Sequence, residues 1–306
     1  MVLAPDGTVQ VALGVVDEPV LTRSSNKPAQ LLGMMRAGLV LDDPADVAIG
    51  CASHSGEPTH VARVLDLLAR HGLTEDDLLC PPAHPMDDTA RNAAAAAGLP
   101  MRRAAMNCSG KHATMLATCV QLGWPIDAYD SPEHPLCEAV AVSIAELTGH
   151  SGERLVAVDG CGLPLFALTL VELALVYGRL IAAPEGTQPR LIADSMRAHP
   201  YLVGGTGRQD TELMTTLPGL LVKGGAEGVH GFALPDGTAV AIKIDDGAER
   251  ARLPTVVAAL FALGVFGDAD PPAELVGPPV LGGGVPVGLM RPTSALVETL
   301  SDALRE

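Results

Sequence analysis

Arg23-Ser24-Ser25-Asn26-Lys27-Pro28-Ala29-Gln30 sets a serine three residues ahead of a lysine, at the start of an apolar run. Leu31, Leu32, Met34 and Met35 continue it as the inward positions of an amphipathic helix, which Gly33 weakens and Gly38 ends. Residues three apart on a helix share a face, so the Ser24 hydroxyl is expected within reach of the Lys27 amine. A helix start also offers unpaired N–H groups to a developing anion. These are the parts of a nucleophile activated without histidine. Ser25 is the rival nucleophile, but two residues from Lys27 it faces away.

The basic residues strengthen this reading. Only four of the 20 lysines and arginines are lysines: Lys27, Lys111, Lys223 and Lys243. Arginine cannot give up a proton near neutral pH, whereas a buried lysine can. Lys27 follows a serine by three, Lys111 follows Cys108 by three, and Lys223 opens Lys-Gly-Gly. The alternative is four scattered, solvated lysines.

Composition bounds the classes. The 306 residues suffice for one large domain or two intimately joined ones. With 48% hydrophobic residues and 3% aromatics, alanine, valine and leucine must build the core. A net charge of −16 argues against nucleic acid, whose phosphates want a basic surface. No apolar stretch is long enough for a membrane span, and Met1 to Gly7 lacks the pattern of a secretory signal. The six cysteines are read as reduced thiols and the compartment as cytoplasmic.

Along the chain, residues 8–16 read as a strand, and the Ser-x-x-Lys helix follows. Val47 to Cys51 is a buried run delivering Ser53-His54-Ser55-Gly56-Glu57, where the serines either serve a site or cap a helix. His54 is either a base or a hydrogen-bonded structural histidine. Helical patterns dominate to about residue 215, with Ser131-Pro132 read as one helix start, Arg154 to Val158 as a strand, 170–182 and 188–198 as helices and His199-Pro200 as a stop. Three connected strands follow at 220–223, 229–234 and 238–244, the last two joined by Pro235-Asp236-Gly237. A helix at 255–265, a Pro/Gly-rich passage at 271–284, a strand at 287–290 and a helix at 294–304 complete the chain. The organisation expected is a single catalytic unit, 1–306, with its sheet from about 1–50 and 216–306 and its helical part at 54–215.

This order resembles the serine β-lactamase, penicillin-binding-protein and glutaminase architecture, in which the serine-lysine helix lies between a helical region and a sheet carrying a Lys-Thr/Ser-Gly triad. The fold class is then α/β, an antiparallel sheet flanked by helices with a large helical region. Lys223-Gly224-Gly225 would take the place of the triad without its middle hydroxyl.

Five strings point further: Arg23-Ser24-x-x-Lys27-Pro28-x-Gln30, Cys51-Ala52-Ser53-His54-Ser55, Asn107-Cys108-Ser109-Gly110-Lys111-His112, Asp159-Gly160-Cys161 and Lys243-Ile244-x-Asp246-Gly247. In this order they resemble the asparaginase family of the Rhizobium type, over nearly the whole chain. The resemblance implies hydrolysis of L-asparagine to L-aspartate and ammonia. A Glu-Ser-x-His string that members usually carry ahead of the first strand is absent, which leaves the sheet short of an edge strand or places the start upstream. Gly282-Gly283-Gly284 stands where members more often have a polar residue.

In this reading Ser24 is the nucleophile and Lys27 its base, with a pKa well below about 10.4; the neighbouring cation Lys223 and burial lower it. Ser53 relays the proton to ammonia, and the Ser24 N–H serves the oxyanion. Asp159 suits the substrate ammonium, while Arg23 and Arg208 are carboxylate partners or else solvated arginines. Cys108, Lys111 and Cys161 are candidate zinc ligands, as the resemblance implies, or else two buried thiols with Lys111 anchoring the substrate carboxylate. No organic cofactor is expected. The expected partners are the small-molecule substrate and a second copy in a homodimer, with neither nucleic acid nor membrane. Two alternatives stay open: a β-lactamase-like or peptidase-type serine hydrolase, and a non-catalytic amino-acid or metal-binding protein.

Overall fold

Short apolar stretches bounded by turn residues become strands, and the first of them pair far along the chain. The computed structural model describes every residue except 151, 268, 273, 274, 276 and 306. Strands β1 (Val2–Leu3) and β2 (Val9–Val11) flank a turn in which Asp6 accepts the Thr8 N–H at 2.9 Å. β2 is shorter than the expected 8–16, because Gly14 turns the chain at a φ of +77°. After β3 (Val20–Leu21), a 3₁₀ turn over Arg23–Asn26 leads into α1 (Lys27–Ala37), whose residues from Lys27 to Met35 are all buried.

Helices α2 (Pro44–Gly50), α3 (Pro58–Arg70), α4 (Asp88–Ala96), α5 (Ser109–Leu122) and α6 (Pro135–Thr148) follow. Gly33 is what lets α1 and α6 approach closely: a Cβ there would lie 2.8 Å from the Ala139 carbonyl. The start of α6 differs from the expected Ser131-Pro132. His134-Pro135 repeats the same cap-proline arrangement one turn later, and His134 Nδ1 accepts the Leu136 N–H. The run 47–51 is the buried end of α2 together with its cap.

Strands β4 (Val156–Val158) and β5 (Pro164–Leu168) pair with each other and, through β5, with β3. In this three-stranded sheet, β3-β5-β4, only β5 lies in the mostly helical stretch without having been expected, for β4 falls within the strand expected at 154–158. The sheet ties the residues just ahead of Arg23 to the Asp159–Gly162 hairpin. Helix α7 (Leu170–Ile181) opens with a capping box, Thr169 and Glu172 each accepting the other's N–H. Helix α8 (Gln188–Ala198) has the expected bounds. It stops at His199-Pro200 as expected, and Pro200 then opens a separate short helix, α9 (Pro200–Val203), before α10 (Gln209–Thr216).

The three expected strands are β6 (Leu221–Gly224), β7 (Val229–Ala233) and β8 (Ala239–Lys243). β1 pairs with β8 (Val2 opposite Val240), giving a five-stranded antiparallel sheet in the order β2-β1-β8-β7-β6. β6, with Lys223, forms its edge. Helix α7 covers β7 and β8, and its Tyr177 ring lies over β7. Gly231 makes that possible: a Cβ there would fall 2.1 Å from Tyr177 Cε2. Gly231→Ala is therefore expected to cost about 1–3 kcal/mol through overpacking, read as a lower urea midpoint. An unchanged midpoint would contradict this ring placement.

Helix α11 (Glu249–Ala262) starts six residues before the expected 255, accommodating Pro254 within it. Of the passage 271–284, residues 273, 274 and 276 lie outside the described ones. The rest leads into an exposed hairpin, β9 (Pro279–Gly282) and β10 (Val285–Leu289), with Gly283 and Gly284 at its tip. Helix α12 (Ser294–Ala303) follows. One apolar cluster runs through these layers, from Met1 to Leu300.

Candidate active site

The decisive turn is strained. Arg23 has a φ of +51°, the left-handed region that side chains avoid, and such strain persists where the surroundings over-determine it. Here Arg23 Nε donates to Asp159 at 2.8 Å and Nη1 to Glu227 at 2.7 Å, and Glu227 itself has a φ of +59°. The turn separates the two serines. Ser25 is buried and donates to the Thr22 carbonyl at 2.6 Å, and its own carbonyl accepts from Tyr177 Oη at 2.6 Å. Ser24 is half-buried on the wall of a polar cavity of about 300 Å³. Ser53, Asn107, Arg208, Lys223 and Arg252 line the same cavity. Two larger clefts, of about 670 and 640 Å³, hold none of these side chains.

Lys27 is fully buried. It donates to the Ala52 carbonyl, to Ser53 Oγ at 3.1 Å and to Cys108 Sγ at 3.2 Å. Among the described residues, no hydrogen bond joins Lys27 to Ser24. The four-carbon stem reaches the carbonyl and the thiol past the end of α2, and these acceptors hold it there. Neither Ser53 nor Ser55 caps α3; Ser55 donates to the Gly204 carbonyl at 3.0 Å instead. His54 is structural. Its Nδ1 accepts the Gly56 N–H, so Nε2 carries the proton toward Ser109 Oγ at 2.9 Å. Burial, then His60 and Lys27, keep it neutral.

Lys223 projects from the sheet edge into this region. Its amine donates to Asp210 at 2.7 Å and to the Gly224 carbonyl at 2.7 Å. Burial lowers its pKa to about 8, Lys27 and Arg252 adding to the fall while Asp210 opposes it. Asp210 stays ionised: against its burial, Lys223, His230 and Arg252 hold it well below the usual carboxylate range. The missing hydroxyl of Lys223-Gly224-Gly225 has a steric reason. A Cβ on Gly224 would lie 3.0 Å from Arg252 Nη1 and 3.1 Å from Asp210, and one on Gly225 would lie 2.7 Å from the Thr22 carbonyl.

Cys108, Lys111, Asp159 and Cys161 form the neighbouring group. Lys111 lies 3.4 Å from Cys161 Sγ. The neighbouring Cys161, with Lys27 and Lys111, lowers Cys108 well below the ordinary thiol range against its burial, while Cys108 and burial raise Cys161. Burial weakens the Lys111 charge, but Cys161, Cys108 and Asp159 outweigh it and raise its pKa. Among the described residues, no group of three or more His, Cys, Asp or Glu side chains is gathered as metal ligands.

The family model of L-asparaginase II matches residues 1–292. The chain belongs to the L-asparaginase II family. It is accordingly an amidohydrolase, an L-asparaginase, and the family implies L-asparagine as its small-molecule substrate. No curated protein matches the chain. Among the described residues, no helix of this asparaginase is long and apolar enough to cross a membrane.

The structure brings Ser24, Ser53, Lys223 and Arg208 to one cavity and sets Lys27 against Ser53. Arg23 and Asp159 are together as an ion pair, and Cys108, Lys111 and Cys161 stand together as a group. Sequence reading missed Asp210, Arg252, Glu227 and Asn107. Asp210 carried a faint signal, as the acid that closes Gly204-Gly205-Thr206-Gly207-Arg208-Gln209-Asp210 and sits in the first turn of α10. Arg252 carried none, since the α11 start was not read as helix.

Proposed function

We propose that this asparaginase hydrolyses its substrate through Ser24 and Lys27, on a fold of the serine β-lactamase/glutaminase kind. The observation that supports it most is the shared polar cavity. Ser24 and Ser53 face it, Lys223 enters from the sheet edge, and the Lys27 amine reaches Ser53 from below. Ser24 Oγ attacks the side-chain amide carbon while Lys27 takes its proton. The Ser24 N–H, at the start of the helical turn, stabilises the oxyanion. Ser53, 3.1 Å from Lys27, passes the proton to the departing ammonia. Water then cleaves the acyl-Ser24 ester, with Lys27 as base again.

The Arg23–Asp159 ion pair complements a zwitterion: guanidinium for the α-carboxylate, carboxylate for the α-ammonium. Arg208, on the cavity wall, is a second carboxylate partner. The test is ammonia release from L-asparagine and L-glutamine. Asparagine turnover that vanishes in Ser24→Ala supports the reading; a folded wild type releasing no ammonia from either contradicts it. The longer substrate differs by one methylene, a discrimination of roughly 1–3 kcal/mol in the pocket.

Two sulfurs and an amine nitrogen close together also suit zinc, with Cys108, Lys111 and Cys161 as holders. When bound, the ion would supply a positive charge that anchors the substrate carboxylate. Cys161 and Lys111 hold their protons strongly, so zinc must displace them and its affinity falls as pH falls. Zinc is therefore expected to raise the thermal midpoint at pH 8 by linkage, less so at pH 6, and not at all in Cys161→Ser. A midpoint indifferent to zinc at both pH values would remove the metal from this account. The homodimer belongs to the same proposal; the uncharged, exposed β9–β10 hairpin supports it, since a two-stranded hairpin is marginal alone.

A further inference from the structure

Asp210 grips the end of β6 at two points. Its carboxylate is buried at the start of α10. One oxygen accepts from Lys223 Nζ at 2.7 Å, and the other accepts the N–H of the very next residue, Gly224, at 2.9 Å. The side chain and the backbone at the end of β6 are thus fixed by a single group. His230 Nε2 lies 3.4 Å from the second oxygen, and Arg252 donates to the Gly225 carbonyl at 2.6 Å, which pins the following peptide. Without such a clamp a lysine stem keeps most of its rotamer freedom. Lys223 would then be one mobile cation on a cavity wall.

We propose that Asp210 is a positioning residue of the reaction, holding the Lys223 ammonium charged and fixed beside Ser24, Ser53 and Lys27. This rests on the amidohydrolase reading above, in which Lys223 is the cation facing Lys27. The surroundings leave the task to Asp210. The ionisable groups that face Lys223 are Lys27 from α1, Cys51 from the cap of α2, Tyr177 from α7, His230 from β7 and Arg252 from α11. Burial pushes the Cys51 thiol up to about 12 and keeps His230 neutral, and Tyr177 is raised well above the usual phenol range. Lys27 and Arg252 repel a further positive charge. Among these groups, Asp210 supplies the negative charge. Its partner's pKa of about 8 is the balance of its attraction against burial.

The test uses the whole chain with ¹³Cε-labelled lysine. There are four lysines, so the spectrum has four lysine signals, which single Lys→Arg replacements assign. In the wild type the Lys223 signal is expected to titrate near 8. In Asp210→Asn, which keeps shape and loses charge, it should move down by about one pH unit or more. The limb of the kcat/KM profile for ammonia release that tracks Lys223 should move with it. Asp210→Glu keeps the charge but spoils the two-point grip. It should hold the titration near wild type while lowering kcat about 10- to 100-fold, with KM little changed. A folded Asp210→Asn protein with an unmoved Lys223 signal overturns the proposal, as does an Asp210→Glu protein with wild-type kcat. If Asp210→Asn does not fold, the glutamate variant decides alone. A wild type that releases no ammonia contradicts the catalytic reading, while the titration still decides whether Asp210 holds the charge.

Discussion

Ser24→Ala should lower asparagine-dependent ammonia release by at least about 10³-fold while leaving the thermal midpoint unchanged. In the proposed mechanism the change removes the nucleophile, and losses of this order or larger accompany that change in serine hydrolases. Folding loses little, because the Ser24 hydroxyl is half-exposed and makes no side-chain hydrogen bond among the described residues. Ser25→Ala makes the opposite trade. Its buried hydroxyl bonds the Thr22 carbonyl, so about 1 kcal/mol of stability should go, with turnover reduced only a few-fold. The two neighbouring serines thus give opposite signatures in one pair of assays. A Ser25→Ala protein that is stable but dead would transfer the nucleophile to Ser25 and overturn the assignment.

Lys27→Met should lower kcat by about 10²–10⁴-fold, the range for removing a positioned general base. The comparison with Lys223→Met separates the two lysines. Lys27 is bonded to a carbonyl, a hydroxyl and a thiol and, among the described residues, to no carboxylate. Its loss leaves the Ala52 carbonyl without that donor, a cost of about 1–3 kcal/mol. Lys223 is paired with buried Asp210. Its loss leaves the buried Asp210 carboxylate without its ion-pair partner, a cost of about 3–5 kcal/mol. Lys27→Met is thus expected to remain folded and inactive, and Lys223→Met to lose stability as well as rate. The check is a urea midpoint for each variant beside its kcat. A Lys27→Met protein with wild-type kcat would rule the lysine out as base.

The parts of the fold that sequence disclosed were those encoded locally. Helix α8 follows its own periodicity and has the expected bounds, and the β7–β8 hairpin follows from Asp236-Gly237. Strands β1, β3 and β5 were not legible. Two of them are two residues long, and each has a partner strand more than a hundred residues away, such as Val240 for Val2 and Leu168 for Val20. The misplaced start of α6 had a different cause: two serine- or histidine-proline pairs competed, and only packing chose between them.

The residues of the candidate site were legible to the same degree. Ser24, Lys27, Ser53 and Lys223 lie in short strings whose spacing suggests chemistry, and lysine scarcity marked three of the four lysines. The absent hydroxyl of Lys223-Gly224-Gly225 was visible but not its reason, because Arg252 and Asp210 reach that space from other elements. The orientation of Lys27 toward Ser53 was also hidden. It depends on where the end of α2 presents the Ala52 carbonyl, which no local pattern encodes.

The most direct test of the central claim is chemical trapping of the acyl-enzyme. The protein is mixed with L-asparagine, quenched in acid within the first turnover, digested and analysed by mass spectrometry. The account predicts an aspartyl ester on the peptide that contains Ser24, absent from Ser24→Ala. An ester on Ser53 or Ser25, or asparagine turnover that persists in Ser24→Ala with no adduct on Ser24, would contradict it.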